Sequence, residues 1–158
     1  MRRKMKMETW EFLNDVQKLY AINLDIKEDE ARIINPNNGK CVNIYIEKYY
    51  SQDGKDVFIE YIVCFATQHR HLEDLDEVEE YVHSILKDEI LAIEFYNSGA
   101  RSFGGEIEKA DLLDLSLTLL GKRWGYSMEH FSAKEYEIYS WSGKYDSGRK
   151  KIADINLN

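Results

Sequence analysis

The hydrophobic positions of the chain follow two periods, and the switches between them outline the elements. In residues 8–20, Trp10, Leu13, Val16 and Leu19/Tyr20 recur at helical spacing, which predicts an amphipathic helix closing one side of a core. Residues 31–66 change to period two and predict three strands. The first, 31–34, stops at Asn35-Pro36-Asn37-Asn38-Gly39, a dense turn signal. In the second, 41–50, Val42, Ile44 and Ile46 face one way and Asn43, Tyr45 and Glu47 the other. A loop over 51–55 follows, with Gly54 available for positive φ. The third, 57–66, is apolar on both faces: Val57, Ile59, Tyr61, Val63 and Phe65 on one, Phe58, Ile62 and Cys64 on the other. That pattern predicts a central strand covered, at least in part, on both sides.

Residues 75–87 read as a helix, with Asp74 as N-cap and Glu77 at the capping-box position. Leu75, Val78, Val82, Ile85 and Leu86 form its apolar stripe, and Glu77, Glu79, Glu80 and His83 lie off it. Residues 89–96 fit a helical extension or a strand and are read as a strand, with Asn97-Ser98-Gly99 as turn and 102–107 as hairpin partner. Gly104 and Gly105 in that partner point to a bulge or a close backbone approach. Leucine-rich 110–120 predicts a helix ending at Gly121, although its second half alternates. Residues 136–141 alternate like a strand, and a capping box with a staple between Phe131 and Tyr136 predicts one helical turn before it. A loop over 142–148 and a strand over 151–157 complete a last hairpin.

Hairpins dominate this order and βαβ crossovers are few. The expected fold is α+β: a mainly antiparallel sheet built of hairpins, with about three helices packed on it. The chain has 158 residues, one proline and no linker or repeat, so a single domain over 1–158 is expected. The basic stretch 1–6 is expected to be disordered.

Composition adds three constraints. The chain is 44% hydrophobic and 32% charged, which suits a folded domain. No segment reaches the length of about 20 apolar residues that a membrane helix requires, and the basic start runs into an amphipathic acidic stretch rather than a leader core. A cytoplasmic location with no membrane partner is expected. The eleven tyrosines suit half-buried positions on a sheet with one wet face, or contact surfaces.

Charge is uneven. Residues 7–143 hold 27 acids against 13 bases, and 73–114 hold 13 acids against Lys87, Arg101 and Lys109. Such a surface disfavours nucleic acid and steers a basic partner. The aromatic, glycine and basic residues of 140–151 have the local chemistry of a nucleic-acid loop, which the rest of the chain opposes.

Catalytic signatures are sparse. His69 and His71 share one side of an extended backbone, and with Glu73 or Asp74 they would make a weak zinc-type site. Cys64 and a histidine give at best a poor nucleophile pair, since a thiol in mid-strand is desolvated. Cys41 and Cys64 read as small hydrophobes; a disulfide would need neighbouring strands in the right register. Glu106 and Glu108 share a strand face but read as solvated, and Gly99–Gly105 lacks the Lys-Ser/Thr of a phosphate loop. Trp124, Tyr126, Met128 and Phe131 fold back over a sheet edge or mark a contact surface.

The expectation is an acidic protein-binding domain without catalysis or cofactor, in concrete form an immunity- or antitoxin-like inhibitor of a basic protein. Its contact residues would be Glu77, Glu79, Glu80, Tyr96, Arg101 and Glu106. The alternatives are a small metal-dependent enzyme centred on His69 and His71, and a structural homo-oligomer, with a homodimer as its simplest form.

Overall fold

The computed structural model describes residues 9–125 and 132–155. The stretch 1–6 and Tyr126, Met128, His130 and Phe131 lie outside the described residues. The fold is α+β, with two antiparallel sheets and three α-helices among the described residues. The chain divides into two compact units, one ending at Leu86 and the other beginning at Lys87.

The first unit opens with helix α1 (Glu11–Leu19), which buries Leu13 and Val16. A five-stranded meander follows in chain order: β1 (Asn23–Ile26), β2 (Glu30–Ile34), β3 (Cys41–Tyr50), β4 (Val57–Phe65) and β5 (Gln68–Leu72). Its register aligns Ala31 with Ile44, Ile33 with Val42, Ile44 with Val63 and Tyr61 with Leu72. One face is therefore a continuous buried apolar surface. Helix α2 (Leu75–Leu86) packs on β4 and β5. Its buried stripe is Val78, Tyr81, Val82, Ile85 and Leu86; Tyr81 replaces the expected Leu75, which is only half-buried.

Two strands escaped the sequence reading. β1 is short and mostly exposed, and β5 turns only Leu72 inward, so neither carries an apolar pattern. A correction also applies to β4. Its second half is covered on one face, with Tyr61, Val63 and Phe65 buried, but Val57, Phe58 and Ile59 at its start are exposed.

The second unit is built on a four-stranded sheet in the order β7-β6-β8-β9. The strands are β6 (Ile90–Asn97), β7 (Ala100–Glu108), β8 (Glu135–Tyr139) and the short β9 (Lys150–Lys151). Ser98 and Gly99 join β6 to β7 with φ of 52° and 81°, a two-residue turn of the primed type that matches strand twist. Leu91, Ile93, Phe95, Ile107, Tyr136 and Ile138 form the core face, covered by Leu120 and Trp124.

Three expectations fail here. The helix over 110–120 is instead a 3-10 turn (Lys109–Leu113) and a separate α3 (Leu117–Trp124). The break has a local cause: Ser116 caps α3 by accepting from Leu119 N at 3.0 Å, and the left-handed residue that ends it is Gly125, not the buried Gly121. Residues 132–134 are not helical before β8. The last strand ends at Lys151, because Ile152–Asp154 turn into a 3-10 helix.

Candidate functional site

The two faces of β3 and β4 define the most distinctive surface of the first unit. β2 pairs with β3 only as far as Tyr45, and β5 pairs with β4 only as far as Tyr61. Beyond those points, Glu47–Tyr50 and Val57–Glu60 pair with each other alone and form a two-stranded ribbon. On the side that continues the buried face lie Lys48, Tyr50, Val57 and Ile59; on the other lie Glu47, Tyr49, Phe58 and Glu60. Tyr50 is 67% exposed, Phe58 61% and Val57 52%, so aromatic and β-branched side chains that suit the strand are left in solvent.

The second ribbon side carries a polar constellation. Glu47 and Glu60 stand directly opposite each other, an arrangement that repels across a strand pair. The Tyr49 hydroxyl bridges them, bonded to Glu47 and lying 3.0 Å from Glu60. Those bonds, Glu47 first, push the Tyr49 phenol well above its usual range. His71 places Nδ1 2.9 Å from Glu60.

His69 and His71 lie on the same face of β5, as expected, with rings 5.2 Å apart. The register sets His69 opposite Cys64 and His71 opposite Ile62. No group of three or more metal-ligating side chains occurs among the described residues, and the Asp74 carboxylate accepts from Glu77 N at the start of α2. Burial pushes the Cys64 thiol up, the opposite of what a nucleophile paired with histidine requires. Cys41 and Cys64 are both free; since Asn43 is the residue opposite Cys64, they are diagonal neighbours on one face.

The residues expected to contact a partner fall into two groups. Glu77, Glu79 and Glu80 lie on α2. Glu77 serves its own helix: its amide donates to Asp74 at 2.9 Å, and its carboxylate accepts from Glu73 N at 3.2 Å. Glu79 is half-buried, 3.7 Å from His83 Nε2, and Glu80 is exposed.

Tyr96, Arg101 and Glu106 lie in the second unit, on the sheet face away from its apolar core. The register brings Glu94, Glu137 and Tyr139 to the same face. Glu94 is 4% exposed and central. Tyr96 donates to it at 2.7 Å, and Arg101 Nε stands 3.9 Å away. Because the Tyr96 proton is used on Glu94, Tyr139 is the donor in the 3.0 Å contact between the two hydroxyls. Arg149 stacks 3.4 Å from the Tyr96 ring centroid and reaches Glu135 at 3.7 Å and Glu137 at 3.6 Å.

Sequence reasoning missed Glu94, Tyr139 and Arg149. The signal for Glu94 was present: a lone acid inside the apolar run of 90–96, in phase with Tyr96. Burial raises both tyrosines, so at neutral pH both stay protonated, Tyr96 donating to Glu94 and Tyr139 to Tyr96. The network holds charge in place.

No protein family, characterised protein or solved structure matches the chain.

Proposed function

We propose that the protein is a binding module that recognises another protein through the β3–β4 ribbon. The observation that carries this reading is the exposure of Tyr50, Val57 and Ile59 on one side of a two-stranded ribbon and of Tyr49 and Phe58 on the other. Soluble chains rarely leave such residues contiguous in water, and aromatic side chains are enriched at the centres of protein contacts. The partner is basic. The paired carboxylates Glu47 and Glu60, framed by Tyr49 and Phe58, offer a site for a lysine or arginine side chain, with charge attraction and ring faces together. An inhibitor that covers the cationic site of a toxic enzyme is one form of this function, and the acids of α2 would add to its steering field.

A photo-reactive residue at position 58 tests the reading in cells of the source organism. The expected product is one cross-linked basic protein, lost when Tyr50 and Ile59 are changed to serine in a variant that keeps the photo-reactive residue and its circular dichroism. Absence of any protein adduct at this position would overturn the proposal.

A second reading is self-association through the same ribbon. Its outer strand edges have no partner strand among the described residues, which suits pairing with a second copy. A cross-link to the chain itself would favour it.

A further inference from the structure

The second unit contains a half-open cavity of about 470 Å3 that neither the ribbon nor the Glu94 network uses. That is within the size range of small-molecule sites. Tyr136, Ile138 and Ile155 of the apolar core reach its floor, and Leu112 and Leu115 line its wall. Its rim is basic. Lys144 and Lys150 line it, and Lys109 joins them at Tyr145: Lys109 Nζ is 5.3 Å and Lys144 Nζ 5.5 Å from that ring centroid.

We propose that this cavity binds a monocarboxylate with an aliphatic body. Three observations converge on it. First, none of the three ammonium groups forms an ion pair with a carboxylate among the described residues, in a chain of net charge −8. Two acids also line the cavity. Asp146 is turned to Ser140, accepting from its amide at 2.8 Å and its hydroxyl at 3.1 Å, and Asp114 is exposed. No carboxylate among the described residues stands within ion-pair distance of these three ammonium groups, and a bound anion would supply one. Second, Leu112, Leu115, Ile138 and Ile155 give the lining an aliphatic patch, from which an apolar body on the anion would displace water. Third, Leu113 at the rim is 88% exposed, the most exposed large hydrophobic residue among those described, and it stands where it would close over such a body.

The state of Tyr145 agrees with this geometry. Hydrogen bonding from Lys109, then the charges of Lys109 and Lys144, hold its phenol below the usual range.

The test is a titration of 15N-labelled protein with sodium decanoate, kept below its micelle threshold, followed by amide shifts. Decyltrimethylammonium serves as the charge control. Saturable shifts are expected at Leu113, Ile138 and Tyr145, with affinity rising by up to about fourfold for each methylene added from hexanoate onward. The double variant Lys144→Glu/Lys150→Glu should weaken decanoate at least tenfold. The double variant Lys122→Glu/Lys134→Glu, which carries the same charge change at other exposed positions of this unit, should leave it unchanged. The proposal is overturned by any of three results: no saturable binding, equal binding of the cation at these amides, or equal loss in both double variants.

Discussion

The indole ring of Trp124 occupies the space that a side chain on Gly105 would need. A Cβ built there would overlap the five- and six-membered parts of the ring. The indole Nε1 donates to Glu106 O at 2.9 Å, so the ring is anchored to the backbone beside the glycine it covers. Phe95 and Phe103 meet it edge to face at 6.1 and 5.3 Å.

Gly105→Ala should therefore destabilise the second unit by about 1–3 kcal/mol, since a packed ring must shift and lose its hydrogen bond. Urea unfolding followed by tryptophan emission measures this. A midpoint equal to wild type would mean that the ring moves aside without cost.

A second prediction concerns alkaline stability. Burial, the bond with Tyr96 and that with Glu137 push the Tyr139 phenol above its ordinary range. A group whose folded pKa is raised contributes stability that is fully present below its unfolded value, about 10 for a phenol, and lost as the pH rises past it. Wild-type stability should fall on raising the pH above about 10, and Tyr139→Phe should fall less steeply there. Matched urea curves at successive pH values would show it; parallel slopes would assign the alkaline loss to other groups.

The cysteines give a third. Diagonal neighbours on a sheet face stand about 7–8 Å apart, whereas a disulfide needs its Cβ atoms about 4 Å apart. Mild oxidation should leave Cys41 and Cys64 unlinked, with no loss of two mass units. With its thiol pushed up by burial, Cys64 should alkylate slowly at neutral pH. Rapid closure of the pair would show that the strands slip in register.

The ribbon yields a fourth. Changing Tyr50, Phe58 and Ile59 to serine removes side chains already in solvent, so each should alter stability by no more than about 0.5 kcal/mol. Thermal unfolding of the variants measures this, and a large loss would mean that these residues support the first unit itself.

The sequence pattern revealed which side chains share a face, and less about what covers that face. Val57 and Ile59 are in phase with the buried Val63 and Phe65, yet they extend past the ends of the neighbouring strands. Strand length relative to its neighbours is a tertiary property, so periodicity alone reads them as core. β5 failed for the opposite reason: its inward residue is Leu72 alone, and an edge strand of Gln, His and Arg resembles a loop. Gly104 and Gly105 did announce a close approach, although not which ring makes it.

At the candidate sites, Tyr96, Arg101 and Glu106 were singled out for charge and chemistry, and the register places them around Glu94. Tyr139 joins only through pairing between β6 and β8, and Arg149 through the chain leading into β9 beside β8, which no local pattern records. His69 and His71 did share a side, as alternation demands, but the described residues bring no third ligand into a group with them.

The two neighbours of β6 also differ in how the chain reaches them. β7 follows after Ser98 and Gly99, while β8 returns only at Glu135. Closing a two-residue turn is fast, whereas bringing Glu135 back to Tyr96 requires a long loop to lose its freedom. The hairpin of β6 and β7 is thus the natural nucleus of the second unit, and docking of β8 its slow step. Until that step, Glu94 lacks the strand that carries Tyr139 and Glu137. A buried acid then faces water, and the nascent hairpin stays soluble while it waits.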